Sequence, residues 1–245
     1  MSEHYRAVVI GGGVVGSSVL YHLAKFGWSD VCLLERSVLT AGSSWHAAGG
    51  IHALNADPNM AALQAYTIDL LSQIQTESGQ DIGLSMTGGI SVASAPARWE
   101  WLQSAYRIFQ TIGIEDCYLM TPGEIKDKCP IMDTAGVIGG LWCDREGYVD
   151  TTGTVHAYAG AAKKRGATVI EHTKVEELRQ RNDGSWDVIT DKGSIHAEHV
   201  VNAAGSFSPQ VGAMVGLKVP VVSVVHHYLV TENLDEVVAL EKEPP

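Results

Sequence analysis

Unbroken apolar runs and alternating ones occupy different parts of this chain, and they predict different kinds of strand. Residues 7–10 and 31–34 are each four consecutive apolar residues, the pattern of strands buried on both faces, which favours a parallel sheet. Between them, Gly11-Gly12-Gly13-Val14-Val15-Gly16 leads into a helix over 17–26, with Gly27 as its stop. The first 36 residues therefore read as a βαβ unit. Further on, Asp57 and Pro58 offer a cap and a first-turn proline to a helix carrying Leu63, Leu70, Leu71 and Ile74 and ending at Gly79.

A strand follows at 89–93, then a helix opened by Pro96 that carries Trp99, Leu102, Tyr106 and Phe109 to Gly113. Thr121-Pro122-Gly123-Glu124 is a capping box and predicts a short helix. Asp150-Thr151-Thr152 precedes an alanine-rich helix over 154–164, closed by Arg165 and Gly166. The period then changes to two. Strands at 168–171, 175–179, 186–190 and 194–197, separated by turns such as Asn182-Asp183-Gly184 and Asp191-Lys192-Gly193, predict a β meander. It returns into an apolar strand over 199–205 that ends in small residues, and the last segment, 219–230, is apolar and β-branched.

The composition is globular: of 245 residues, 45% are apolar and 18% charged, which excludes a disordered chain, a collagen-like chain and a coiled coil. The length allows one large domain or two smaller ones, and no apolar run approaches the ~18 residues of a membrane span. With 17 Lys and Arg against 28 Asp and Glu, the formal charge is −11, which disfavours nucleic acid and anionic lipid surfaces as partners. The four cysteines, Cys32, Cys117, Cys129 and Cys143, show no CxxC spacing, and no signal segment is recognisable. They read as reduced thiols in a cytosolic protein, or in an organelle matrix if an address has been removed. No metal site is expected, because His196 and His199, three apart on a strand, point to opposite faces.

Gly11, Gly13 and Gly16 form GxGxxG in the context that motif requires, after a strand and opening a helix, with Glu35 ending the next strand. Gly11 permits the tight turn, Gly13 lets a pyrophosphate approach the backbone amides, and Gly16 lets helix and strand pack closely. Glu35 would accept from the adenosine ribose, and Val15 and Arg36 flank these positions as further candidate contacts. An acid at this place disfavours a ribose 2′-phosphate, so NADP is the poorest fit. The motif leaves FAD and NAD both open, and its bland alternative is a bare βαβ turn.

The segment Thr40-Ala41-Gly42-Ser43-Ser44-Trp45-His46-Ala47-Ala48-Gly49-Gly50 resembles the flavin loop of the dimethylglycine and sarcosine dehydrogenases, in the D-amino-acid-oxidase-like flavoprotein superfamily. The similarity continues through Gly88-Gly89-Ile90-Ser91, Thr121-Pro122-Gly123-Glu124-Ile125, Gly147-Tyr148-Val149-Asp150, Val201-Asn202-Ala203-Ala204-Gly205 and His226-His227-Tyr228. The resemblance implies an α/β fold: a doubly wound, parallel-sheet FAD-binding domain with a β meander (1–80 and 146–215), interleaved with a partial α+β substrate domain (81–145 and 216–245). Family members are much longer, so the chain reads as an N-terminal part, truncated at its C-terminus.

The resemblance also implies roles. His46 matches the histidine that family members link covalently to the flavin. Ser43 and Ser44 suit hydrogen bonds to the pyrophosphate or ribityl chain, and Ala48, Gly49 and Gly50 let the backbone pass beside the ring system. Val175 stands where the superfamily's backbone meets the adenine, and Ala204 and Gly205 suit close packing against the cofactor. His226 and Tyr228, two apart on a strand and so on one face, match a His-x-Tyr pattern on the substrate side, with a cross-strand packing pair as the bland alternative. The implied reaction is FAD-dependent oxidation of a small N-methyl amine such as dimethylglycine or sarcosine. The partners are that amine and an electron acceptor, either oxygen or an electron-transfer flavoprotein. Two alternatives stay open at this point: an amino-acid or amine oxidase with noncovalent FAD, and a noncatalytic nucleotide-binding fragment.

Overall fold

A computed structural model describes residues 4–55, 57–240 and 242–245. In chain order its elements are β1 (His4–Ile10), α1 (Val14–Lys25), β2 (Val31–Leu34), β3 (Gly50–Ile51), α2 (Pro58–Ser78), β4 (Gly89–Ala93), α3 (Pro96–Ile112), β5 (Cys117–Met120), α4 (Pro122–Lys128), β6 (Gly139–Cys143), β7 (Gly147–Tyr148), α5 (Thr151–Lys164), β8 (Thr168–Ile170), β9 (Val175–Gln180), β10 (Trp186–Thr190), β11 (Gly193–Asn202), α6 (Ser208–Ala213) and α7 (Asp235–Val238). Single 3-10 turns lie at Ser43–His46 and Gly205–Phe207.

The chain forms two compact units, one of residues 1–48, 73–82 and 150–226, the other of 49–72, 83–149 and 227–245. Residues 49–72 thus group with the second unit, because their buried face, Ala53, Ala61, Ala65 and Ile68, packs in one core with Leu102, Phe109 and Leu141.

In the first unit a six-stranded sheet runs β8-β2-β1-β11-β10-β9. Its first four strands pair in parallel and the last two join antiparallel. The unbroken apolar runs account for the parallel half: Val8, Val9, Val31, Cys32 and Leu33 are fully buried. α1 packs against α5; Tyr21 of α1 donates to Glu77, which also pairs with Arg165. That arginine's hydrogen bond is the main reason the Glu77 carboxyl is held below its usual range. The meander proper is β9-β10-β11. The strand expected at 168–171 is β8, which instead pairs in parallel with β2, and the runs at 194–197 and 199–205 merge into the single strand β11.

In the second unit β4-β6-β5 form a three-stranded antiparallel sheet, and α3 packs on it. The Thr121 capping box is present, with reciprocal bonds to Glu124. Asp57 accepts from the amides of Asn59 and Met60 at the start of α2. Leu63, expected on the buried stripe of that helix, is 57% exposed, whereas Leu70, Leu71 and Ile74 are buried.

Two expectations need correction. Cys117 and Cys143 are not reduced thiols but are joined as a disulfide. They lie directly opposite each other on β5 and β6, so antiparallel pairing supplies a proximity that a separation of 26 residues conceals. Cys32 and Cys129 are buried and take no part in a disulfide. The segment 219–230 forms no strand despite its β-branched composition, so no strand face is shared by His226 and Tyr228. Val222, Val225, Leu229 and Val230 are exposed, and a strand needs a neighbour's ladder that local propensity cannot supply.

Candidate functional site

The site of the first unit is built where β1 ends. The Gly11 amide donates to Leu34 O at 2.9 Å, and the Ala203 amide donates to Ile10 O at 2.9 Å, so the glycine turn is held between the C-terminal ends of β2 and β11. Such an end of a parallel sheet is where open α/β folds bind ligands. Gly11 has φ +117°, and a Cβ there would stand 2.8 Å from the Ala203 carbonyl carbon. A Cβ at Gly16 would overlap the Gly11 carbonyl. Both glycines are therefore required by the close approach of backbone to backbone.

The loop after β2 folds over this turn. Glu35 accepts from the Gly12 amide at 2.8 Å and from the Ser37 amide at 2.8 Å, and the Thr40 amide donates to Gly12 O at 3.0 Å. Farther along, the Ser44 hydroxyl oxygen accepts from the Val14 amide at 2.9 Å. That amide is the first of α1, one of the donors a helix N-terminus leaves unpaired and aims at anions. The 3-10 turn that carries Ser44 also carries Trp45 and His46, whose rings lie 3.7 Å apart, and it packs against α5. Asp150 caps α5 by accepting from the Thr152 and Gly153 amides. On the other side of Glu35, the Arg36 guanidinium lies 3.8 Å over the Phe207 ring, and the Thr173 amide donates to Glu35 O at 2.8 Å, bringing the chain that leads to buried Val175 alongside.

The structure thus brings together Gly11, Gly13, Gly16, Glu35, Arg36, Ser44 and the Ala203–Ala204 backbone. Val15 lies on the first turn of α1 and is 63% exposed; Ser43, His46 and Ala48 are exposed on the loop, and Gly205, with φ +55°, opens the turn that carries Phe207. Gly49 and Gly50 belong to the second unit, His226 closes the first, and Tyr228, 72% exposed, belongs to the second. Two participants were not singled out from sequence. Gly12 is required because a Cβ would meet Leu39 and Glu35 within 2.9 Å, and the unbroken glycine triplet was its signal. Phe207 gave none, since nothing local marks the partner of a distant arginine. Among the described residues the one grouping of metal-type ligands is Asp116 with Cys117 and Cys143, and its sulfurs are bonded to each other.

A family model described as "DAO: FAD dependent oxidoreductase" matches residues 6–244. The chain belongs to this family. It is 39% identical over 244 residues to human mitochondrial dimethylglycine dehydrogenase, a match covering 99% of this chain and 28% of that protein. It is 37% identical over 236 residues to mouse mitochondrial sarcosine dehydrogenase, covering 94% of this chain and 26% of that one. The chain therefore spans little more than a quarter of the length of these relatives. Among solved structures, L-proline dehydrogenase from P. horikoshii superposes with a TM-score of 0.81 at 28% identity, covering 89% of this chain and 57% of that one. No helix among the described residues is long and apolar enough to cross a membrane.

The residues present fit FAD. The Ser44 oxygen stands at the α1 amide where an anionic oxygen is favoured, and a Cβ at Gly13 would crowd that oxygen at 3.1 Å. Glu35 would hold the ribose end of the dinucleotide, and the glycine turn with Ser44 its pyrophosphate.

Proposed function

We propose that this chain supplies the FAD-binding part of an enzyme that oxidises a small secondary or tertiary N-methyl amino acid, such as dimethylglycine or sarcosine, and passes the electrons to a separate acceptor. The observation that carries the reading is the convergence of Glu35, the glycine turn and the Ser44 hydroxyl on the N-terminus of α1. The similarity to a dimethylglycine dehydrogenase and a sarcosine dehydrogenase over nearly the whole chain supports the substrate class.

When bound, FAD supplies at its N5 position the acceptor for the hydride that leaves the N-methyl carbon. The chain's own residues bind and orient. Glu35, fixed by the Gly12 and Ser37 amides, accepts from ribose hydroxyls. Ser44, freed from the Val14 amide, can turn its hydroxyl to a pyrophosphate oxygen. His46, exposed beside Trp45, has an imidazole nitrogen available for covalent attachment, and we assign it that role. Amine oxidation requires a free nitrogen lone pair, so the substrate ammonium must lose its proton first; His226 and Tyr228 are our candidates for assisting that loss.

The test is anaerobic mixing of the flavin-loaded protein with dimethylglycine, sarcosine and trimethylamine. Bleaching of the oxidised-flavin band by either amino acid, but not by trimethylamine, is expected. Bound flavin that none of them reduces would contradict the proposed activity.

A further inference from the structure

Glu146 is a half-buried residue, its carboxyl group largely shielded from solvent, that the nucleotide site does not use. It lies in the second unit, between β6 and β7, at the point where the two-stranded ladder of β3 with β7 ends: Gly50 pairs with Tyr148 and Ile51 with Gly147. The pairing ends at Ile51, and Ala53, two residues farther on, is fully buried. The Glu146 backbone carbonyl accepts from the Gly88 amide at 2.9 Å. Its side chain serves the Ala53 amide, a carboxyl oxygen accepting from the Ala53 N–H. The slot for this carboxylate exists because residue 89 is glycine, since a Cβ there would overlap the carboxylate oxygen and lie 2.8 Å from the Glu146 Cβ. The backbone so held, residues 50–53, is the direct continuation of the loop that carries His46.

We propose that Glu146 is a protonation-sensitive latch on the backbone leaving the His46 loop, closed while its carboxyl group is neutral in the Gly89 slot and released when the group ionises into solvent. Burial pushes Glu146 up to about 7 from an ordinary 4.5, against the opposing pull of the Ala53 N–H. The surrounding segments carry His52, Asp144, Arg145, Tyr148 and Glu243, and none of them compensates the buried charge. His52 is exposed, and Asp144 accepts from the Trp142 indole. Arg145 is engaged by Asp116 and Asp69, and Glu243 by Ser85 and Tyr148. The segment 83–89 carries no titratable side chain.

Because the closed state holds the proton more tightly than the open one, opening grows as pH rises from the ordinary carboxyl value to about 7 and levels off above it. The Ala53 amide should therefore lose protection on the order of fiftyfold between about pH 5 and about pH 8.

Hydrogen exchange of the full chain, read on the peptide spanning residues 50–55 and corrected for intrinsic rates, tests this. Glu146→Gln, a permanent analogue of the neutral acid, should keep the amide protected at every pH. Glu146→Ala and Gly89→Ala, which remove the carboxyl group or its slot, should leave it unprotected at every pH, with β11 peptides unchanged as the folding control. A flat profile in the unmodified chain, or a Glu146→Gln variant that retains the pH dependence, would overturn the proposal. The readout needs no flavin and is independent of the proposed reaction.

Discussion

Replacing Gly16 by alanine is the sharpest perturbation of the nucleotide turn. The new methyl group would lie 3.1 Å from the Gly11 carbonyl carbon, closer still to its oxygen, and 3.4 Å from the Ala203 Cβ. None of these neighbours is the end of a flexible side chain. Relief requires the Gly11 carbonyl to retreat, and its own amide is tied to Leu34 O at 2.9 Å while Ala203 is tied to Ile10 O at 2.9 Å. Overpacking of this kind costs about 1–3 kcal/mol, and loosening a turn-to-strand hydrogen bond adds about 1 kcal/mol. The expected loss is about 3 kcal/mol, a large fraction of a typical stability of roughly 5–15 kcal/mol. Gly123 is the control: it lies within α4, and an added Cβ would meet only the Thr121 hydroxyl oxygen at 4.0 Å, so Gly123→Ala should lose no stability. Urea unfolding followed by tryptophan fluorescence measures both, and equilibrium dialysis measures FAD retention. A Gly16→Ala protein as stable as Gly123→Ala, with unchanged FAD retention, would refute the packing argument.

Glu35→Gln replaces an acceptor of two backbone amides by a group with one acceptor oxygen; we expect about 1–2 kcal/mol lower stability and weaker FAD binding, both read by titration and melting. Glu146 has its folded value raised to about 7, so its stabilising contribution is full below about 4.5 and is lost as pH rises through about 7. Glu146→Gln should accordingly gain on the order of 3 kcal/mol over the unmodified chain by pH 8 and almost nothing at pH 4, and urea midpoints across that range would expose any other trend. Asp150→Ala removes both side-chain bonds at the start of α5 and should cost about 1 kcal/mol, visible as a lowered melting temperature.

What could be seen in the chain beforehand divides along local and nonlocal lines. The βαβ unit was legible because residues 7–10 and 31–34 are apolar without interruption, and the caps at Asp57, Thr121 and Asp150 because a helix start is written within four residues. β6 was not, since Gly139 and Gly140 look like a loop and become strand only by pairing with β4 and β5 on both sides. The Cys117–Cys143 bond was hidden for the same reason. At the site, the glycine spacing and Glu35 could be read directly, but the Ser44 contact to the Val14 amide and the Arg36–Phe207 stack join residues 30 and 171 positions apart. The segment 219–230 shows the converse error: strand composition was present, and among the described residues no strand pairs with it.

The central claim is that FAD lies along the glycine turn and is bonded to His46. The most direct measurement is the intact mass of the full chain after flavin loading and denaturation, followed by peptide mapping. The account predicts a mass increased by one FAD less two hydrogens, the imidazole N–H and one flavin C–H that the new N–C bond replaces and that leave through the flavin to oxygen, carried on the peptide containing His46 and absent from His46→Ala. An unmodified mass in a flavin-loaded sample, or an adduct that persists in His46→Ala, would contradict it.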